Sequence, residues 1–406
     1  MQLTIDRLGH QGDGIAQGAS GPVFVPRSLP GEVIEGAVAG DRIEAPRIVT
    51  PSPDRVRPPC PHYKSCGGCA LQHASDAFVA GWKVEVVRQA LGARGIAAQP
   101  DGIVTSPPAS RRRATFSAHR TKGGALVGFH APKSDAIARI PDCKLLHPDL
   151  LATVPALEAL VVAGGSRKSA LRLAVTLSET GPDVAVTGGK PLDVALETTL
   201  AGLAGENRIA RLSWEGELVA QEVPPMQRFG AARVAPPPGA FLQATKEGEK
   251  ALLSGVSETV SGARHIADLF AGSGTFALTL AASAEVHAVE GGAAMLAALD
   301  QGWRTAPGLK RVTTETRDLF RRPLLADELS RFDAVVIDPP RAGAEAQFAE
   351  LAEARVPRIA EVSCNPVTFA RDAALLIAAG YRLDRLTVVD QFRWSTHVEL
   401  VAGFSR

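Results

Sequence analysis

Cys364 and Glu399 are the residues of this chain best suited to make and break bonds. Cys364 follows the apolar run RIAEVS and precedes Asn365-Pro366, so a strand should deliver its sulfur to a polar sheet edge, where a thiolate can attack an electrophilic carbon. Glu399 lies in THVELVAGF, whose alternation puts His397 and Glu399 on one face and Val398 and Leu400 on the other. A carboxylate enclosed there can act as a base; an exposed one is only a surface charge. A lone cysteine is often just a small buried apolar residue, but the polar setting of Cys364 favours the nucleophile.

The other four of the five cysteines follow another pattern. Cys60, Cys66 and Cys69 in CPHYKSCGGC have the spacing C-x5-C-x2-C, and Gly67 and Gly68 let the loop fold tightly enough for the sulfurs to converge. Cys143 in PDCKLL is the natural fourth member. Four thiolates suit an iron-sulfur cluster or tetrahedral zinc, and the uneven three-plus-one spacing favours iron-sulfur over the paired knuckles of zinc sites. Disulfides are disfavoured, because no signal peptide is evident and a reducing cytoplasm is the expected location.

These residues need elements to position them. A chain of 406 residues, 45% hydrophobic, exceeds what one core usually serves, so two or three domains are expected. No run approaches the roughly 20 apolar residues of a membrane helix; LLATVPALEALVVAGG is interrupted by Pro155 and Glu158. A net charge of +1 leaves nucleic-acid binding to a local patch, for which Arg111, Arg112 and Arg113, with His119, Arg120 and Lys122, are available. Such a run is otherwise a solvated face.

Residues 1–52 read as short strands with Gly and Pro turns, a small antiparallel barrel. Residues 53–235 form an expected central α+β unit, entered through the linker PSPDRVRPPCPH. Its helix at about 76–98, closed by Gly95, is a candidate to dock on the following domain. In residues 236–406 strands alternate with helices, as in a parallel sheet. HIADLFAGSGTFALTLA is the first strand, turn and helix, with Gly272 and Gly274 leaving room for a ligand at the helix N-terminus. With Ala277, and Glu290 at the end of EVHAVE, the motif serves NAD or S-adenosylmethionine equally, since both carry a ribose. Asp338, before two prolines, should stay extended at the carboxyl end of FDAVVI. Arg341 stands where amine methyltransferases place an aromatic, which argues for a different target atom.

DLFAGSGTF, VIDPPRAG, VSCNP and HVEL, in that order, resemble the RNA uracil-5-methyltransferases, and the likeness covers nearly the whole chain. The early G-x-G with VFVPRSLPGE resembles a TRAM domain, an oligonucleotide-binding-type barrel. Together with C-x5-C-x2-C it is similar to the bacterial 23S ribosomal RNA enzymes that carry a 4Fe-4S cluster. The resemblance implies an α/β, class I Rossmann-like methyltransferase domain behind a TRAM barrel and an α+β domain. It implies methyl transfer from S-adenosylmethionine to carbon 5 of a uridine in RNA, with 23S ribosomal RNA as first target and transfer RNA as the alternative. It also implies Cys364 as nucleophile at carbon 6 and Glu399 as base. Gln243, Phe270, Gly272, Gly274, Thr275, Glu290, Asp318 and Asp338 would line the cofactor and uracil sites, and Cys60, Cys66, Cys69 and Cys143 would hold the cluster, zinc being the alternative. Thr275 departs from the Asn common in relatives. A cytoplasmic enzyme with RNA as partner, no membrane and no obligate protein partner is the expectation. An NAD-dependent oxidoreductase would share the glycine turn and Glu290 but leave Cys364, Glu399 and the barrel without a role; a non-catalytic RNA-binding scaffold would need neither residue.

Overall fold

In the computed structural model, which describes residues 1–406, the first fifty residues fold into two three-stranded antiparallel sheets. One pairs Gln2–Thr4, Val33–Glu35 and Arg47–Thr50; the other pairs Arg7–Leu8, Gly14–Gly18 and Gly21–Val25. Ala16, Val23, Val25 and Ile34 of these strands meet Ile5 and Ile43 of the connecting segments in a core of their own. So small a core stabilises little by itself. It is fastened to the proline-rich linker by the buried Glu32, whose carboxylate accepts from Leu29 N at 2.9 Å, Ser52 N at 3.1 Å and Arg55 Nη2 at 2.7 Å.

The central unit is a seven-stranded sheet in the order Ile137–Ala138, Gly124–His130, Arg113–Thr121, Leu171–Ser178, Gly181–Thr187, Arg211–Trp214, Glu217–Gln221. Neighbours are antiparallel except Gly181–Thr187 with Arg211–Trp214, a parallel pair that needs a crossover, supplied by the helix Val194–Glu206. That helix and Val154–Gly164 share a core with the sheet around Phe116, Leu157 and Trp214.

The last unit is an eight-stranded sheet in the order Val312–Thr316, Glu285–Glu290, His265–Leu269, Ala334–Ile337, Arg358–Ser363, Glu399–Ser405, Arg382–Asp390, Gly102–Thr105. The first five strands are mutually parallel, and Glu399–Ser405 runs antiparallel to both its neighbours. Ala334–Ile337 is buried along its whole length, as a strand covered on both faces must be, and two large clusters complete the interior.

Residues 76–105 belong to this sheet although the sequence groups them with the central unit. The helix Asp76–Gly92 starts at Ser75, whose Oγ accepts from Phe78 N at 3.1 Å. It ends in a Schellman turn: Gly95 at φ +73° donates to Gly92 O at 3.0 Å, and Ile96 N donates to Leu91 O at 3.1 Å. Val87 and Leu91 enter the core beneath the catalytic sheet, and Gly102–Thr105 pairs parallel with Arg382–Asp390 as its edge strand. The apolar stripe of the helix, not its place in the chain, decides where it packs. The helix expected after the glycine turn is shorter than its sequence suggests, Ala277–Leu280, because the chain must rejoin the sheet where Glu285 N donates to Arg264 O at 2.8 Å.

Candidate active site

Strand order reverses between the parallel neighbours His265–Leu269 and Ala334–Ile337, so their carboxyl ends flank the crevice where open α/β sheets bind ligands. Phe270 follows the first of these strands at φ +60°, a strained position for a residue with a Cβ, and Gly272 and Gly274 continue at +55° and +97°. A Cβ on Gly272 would meet nothing within 4 Å, so this backbone faces open space where a ligand can approach. Glu290, at the end of the adjacent strand, accepts from Gly272 N at 3.1 Å and Gly292 N at 2.9 Å and keeps lone pairs for ribose hydroxyls. Asp318 caps the next loop, accepting from Phe320 N at 3.0 Å; the exposed Phe320 ring lies 5.4 Å from that of Phe270. Thr275 contributes its carbonyl, which accepts from Thr279 Oγ1 at 3.0 Å.

Asp268 was not singled out in the sequence, although an acid inside IADLF is a signal. It is fully buried under the glycine turn, and neither carboxylate oxygen has a hydrogen-bond partner. Burial drives it up to about 8, with help from the charge of Glu290. Ser273 Oγ is likewise buried and unpaired. Orphaned polar atoms, a strained turn and a free acidic edge are what an amino acid-bearing nucleoside requires, so S-adenosylmethionine fits these residues.

The second half of the site is built by strand pairing. The register that pairs Ser363 with Leu400 brings the next residues, Cys364 and Glu399, side by side at the carboxyl rim. Burial, then the charges of Glu399 and Asp338, push the Cys364 thiol up to about 11. Glu399 is 3% exposed rather than a surface charge; burial raises it to about 7, opposed by a hydrogen bond from Gln391 and by the charge of Arg113. Asp338 is held well above the usual carboxylate range, by burial first and then by Glu399 and Asp268. His397, expected on the same strand face as Glu399, precedes the strand.

One chain of hydrogen bonds runs through the site. Gln243 Nε2 donates to Asp338 Oδ2 at 3.4 Å, Gln391 Nε2 donates to Gln243 Oε1 at 2.6 Å and also to Glu399 Oε2, and Ala244 N donates to Gln391 Oε1 at 2.6 Å. Nothing in the sequence flagged Gln391.

The three arginines do not form one exposed patch. Arg112 is buried, paired with Glu249 at 2.5 Å, and its Nε donates to Gln243 O at 3.1 Å; it positions the site instead of gripping RNA. Arg113 lies over the Phe241 ring at 4.6 Å, and Arg111 over Phe392 at 5.7 Å. Phe241 is 55% exposed, an aromatic face open at the mouth of the site.

The cysteine loop is a junction of the three units. Gly67 N donates to His130 O at 2.8 Å in the central sheet, Ala70 N and Leu71 N donate to Trp394 O at 2.8 and 3.0 Å in the catalytic unit, and Arg27 of the barrel reaches Lys64 O at 3.4 Å. Asp142 N donates to His62 Nε2 at 3.4 Å, which brings the Cys143 segment to the loop. Burial pushes Cys69 up to about 12, and the charges of Cys143, Cys66 and Cys60 add to it, so the four thiols lie within one another's field. N–H groups are directed at these sulfurs: Gly68 N at Cys66 Sγ at 3.4 Å, Leu145 and Leu146 N at Cys143, and the Gln72 side chain at Cys69. No three His, Cys, Asp or Glu side chains are grouped so as to hold a single metal ion.

A mostly parallel sheet with a ligand crevice at its switch point and an acid closing the second strand is the architecture of a domain that binds an adenosine-bearing cofactor, and the comparisons with known proteins decide which. Residues 304–404 match the family model described as tRNA (Uracil-5-)-methyltransferase. The chain is 46% identical to an uncharacterized RNA methyltransferase of Rhizobium meliloti, over 100% of this chain and 99% of that one. It is 32% identical to the 23S rRNA (uracil(1939)-C(5))-methyltransferase RlmD of Shewanella amazonensis, over 99% of this chain and 95% of that one. The Pyrococcus abyssi tRNA (uracil-54, C5)-methyltransferase, solved with S-adenosyl-L-homocysteine, superposes with a TM-score of 0.76 at 22% identity, covering 100% of this chain and 99% of that one; this shows a common fold. The chain belongs to the S-adenosylmethionine-dependent RNA (uracil-5-)-methyltransferase family.

Proposed function

We propose that this enzyme methylates carbon 5 of one uridine in 23S ribosomal RNA through a covalent bond between Cys364 and carbon 6 of the ring. The observation that carries the covalent step is the placement of Cys364 beside the enclosed Glu399 at the rim of the sheet. The RNA target rests on the relative RlmD.

S-adenosylmethionine supplies the methyl group. The protein must make carbon 5 nucleophilic and then remove its proton. With its thiol near 11, Cys364 holds little thiolate at neutral pH, so its addition depends on activation of the ring. Burial, then Glu399 and Asp268, raise the Asp338 carboxyl well above the usual range, and in its protonated form it would be a hydrogen-bond donor suited to a uracil carbonyl. As the thiolate form of Cys364, its proton given up to solvent, bonds to carbon 6, the electrons of the ring double bond pass to the carbonyl, and carbon 5 gains enolate character. After carbon 5 is methylated, Glu399 takes its proton; the electrons re-form the ring double bond and expel the Cys364 sulfur. A group titrating near 7 suits this work at neutral pH. The base must leave its stack to expose both faces, and Phe241 with Arg113 offers a platform at the mouth.

Cys60, Cys66, Cys69 and Cys143 would hold a 4Fe-4S cluster, which suits four thiol donors and the N–H groups aimed at the sulfurs of Cys66, Cys69 and Cys143, and such a cluster would tie the three units together. No helix is long and apolar enough to cross a membrane.

Mapping 5-methyluridine in total RNA from a strain lacking this protein should show one 23S position lost; loss from transfer RNA instead would overturn the target. RNA bearing 5-fluorouridine at that position should form a denaturant-resistant adduct with the native enzyme and none with Cys364→Ala. Absence of adduct with the native enzyme would overturn the covalent step.

A further inference from the structure

We propose that Gln391 is a positioning residue for proton removal: its side-chain amide aims the Glu399 carboxylate at the substrate and holds it ionised. This rests on Glu399 acting as the base.

Gln391 is 1% exposed and lies just beyond the strand Arg382–Asp390, which pairs with the strand of Glu399. Each polar atom of its side chain is assigned: Oε1 accepts from Ala244 N, and Nε2 donates to Gln243 Oε1 and Glu399 Oε2. The amide therefore cannot turn without losing a buried bond, and Glu399 meets a donor in one orientation. A Cβ on Gly248 would lie 2.5 Å from Gln391 Cβ, so the neighbouring helix Lys246–Thr259 presses the side chain in place. Behind it, the buried Lys83 pairs with Asp390 at 2.5 Å and reaches Phe392 O at 3.2 Å, bracketing Gln391 on both sides.

The groups whose charges bear on Glu399 are few. Arg113 favours its ionised form, whereas Asp338 and Cys364 interact with it as further acids. Arg113 is stacked on Phe241 and is no hydrogen-bond partner of Glu399, so Gln391 makes the directed contact.

The test follows adduct resolution after a single methyl transfer, as a function of pH, in the full-length enzyme. Gln391→Met removes the donor and keeps the length. The pH midpoint of resolution should rise by about one unit, the size of one lost bond to a charged group, with resolution at neutral pH slowed roughly fivefold. Adduct formation with 5-fluorouridine RNA should persist, since Cys364 is untouched. An unmoved midpoint would overturn the proposal. If loss of the Ala244 contact unfolds this variant, Gln391→Glu retains that acceptor and sets two carboxyls together. Resolution should then show two coupled ionisations in place of one, and a single unshifted one would equally overturn it. Glu399→Gln separates the two readings: normal turnover there removes the base itself, whereas stalling there with an unmoved Gln391→Met midpoint removes only the role of Gln391.

Discussion

Asp268 shows how a single carboxyl in this site weighs against stability. Its folded value of about 8 lies far above the ordinary 3.8, so the folded protein binds this proton more tightly than the unfolded chain does. Stability is therefore greatest below about pH 4 as far as this group is concerned, and declines as pH rises toward 8. The ligand-free protein should melt at progressively lower temperature between about pH 5 and pH 8. Asp268→Asn should flatten that slope and stabilise the ligand-free form at pH 8 by on the order of a few kcal/mol. A calorimetric series across this range checks both, and an unaltered slope would show that the carboxyl finds a partner in solution.

The helix Asp76–Gly92 does for the elements what Asp268 does for the crevice: it places a charge where apolar packing alone would be more stable. Lys83 and Asp390 are both essentially unexposed, and removal of one partner strands the other. Lys83→Met should cost about 3–5 kcal/mol, and Lys83→Met with Asp390→Leu should recover most of it. Denaturant melts of both variants measure this; if the double variant is no better than the single, the pair is not the source of the loss. The same pair flanks Gln391, so Lys83→Met should also slow adduct resolution more than adduct formation.

Across the whole molecule, the loop from Cys60 to Cys69 is where barrel, central sheet and catalytic sheet meet, each through backbone hydrogen bonds or a single side chain. Few contacts hold so long a chain in register, and a cluster on four thiolates would supply the rest. Cys143→Ser should abolish bound iron and expose the loop to limited proteolysis, with the catalytic sheet still folded. Full iron content in that variant would take Cys143 out of the ligand set.

Local chemistry was legible in the sequence where the chain carries its own punctuation. Gly272 and Gly274 had to form a turn because both adopt positive φ; Asp338, with a proline after it, falls just past the end of the strand Ala334–Ile337; Gly95 had to end a helix because it tolerates positive φ. The alternation of strands and helices likewise announced a parallel sheet. The sequence could not show that residues 76–105 join a sheet whose other strands begin some 160 residues later, that Arg112 turns inward to Glu249 while Arg113 faces the site, or that Gln391 reaches Glu399. Those outcomes depend on pairings between segments distant in the chain, and their energies come from burial and from satisfied polar groups, which exist only once the units have closed on one another.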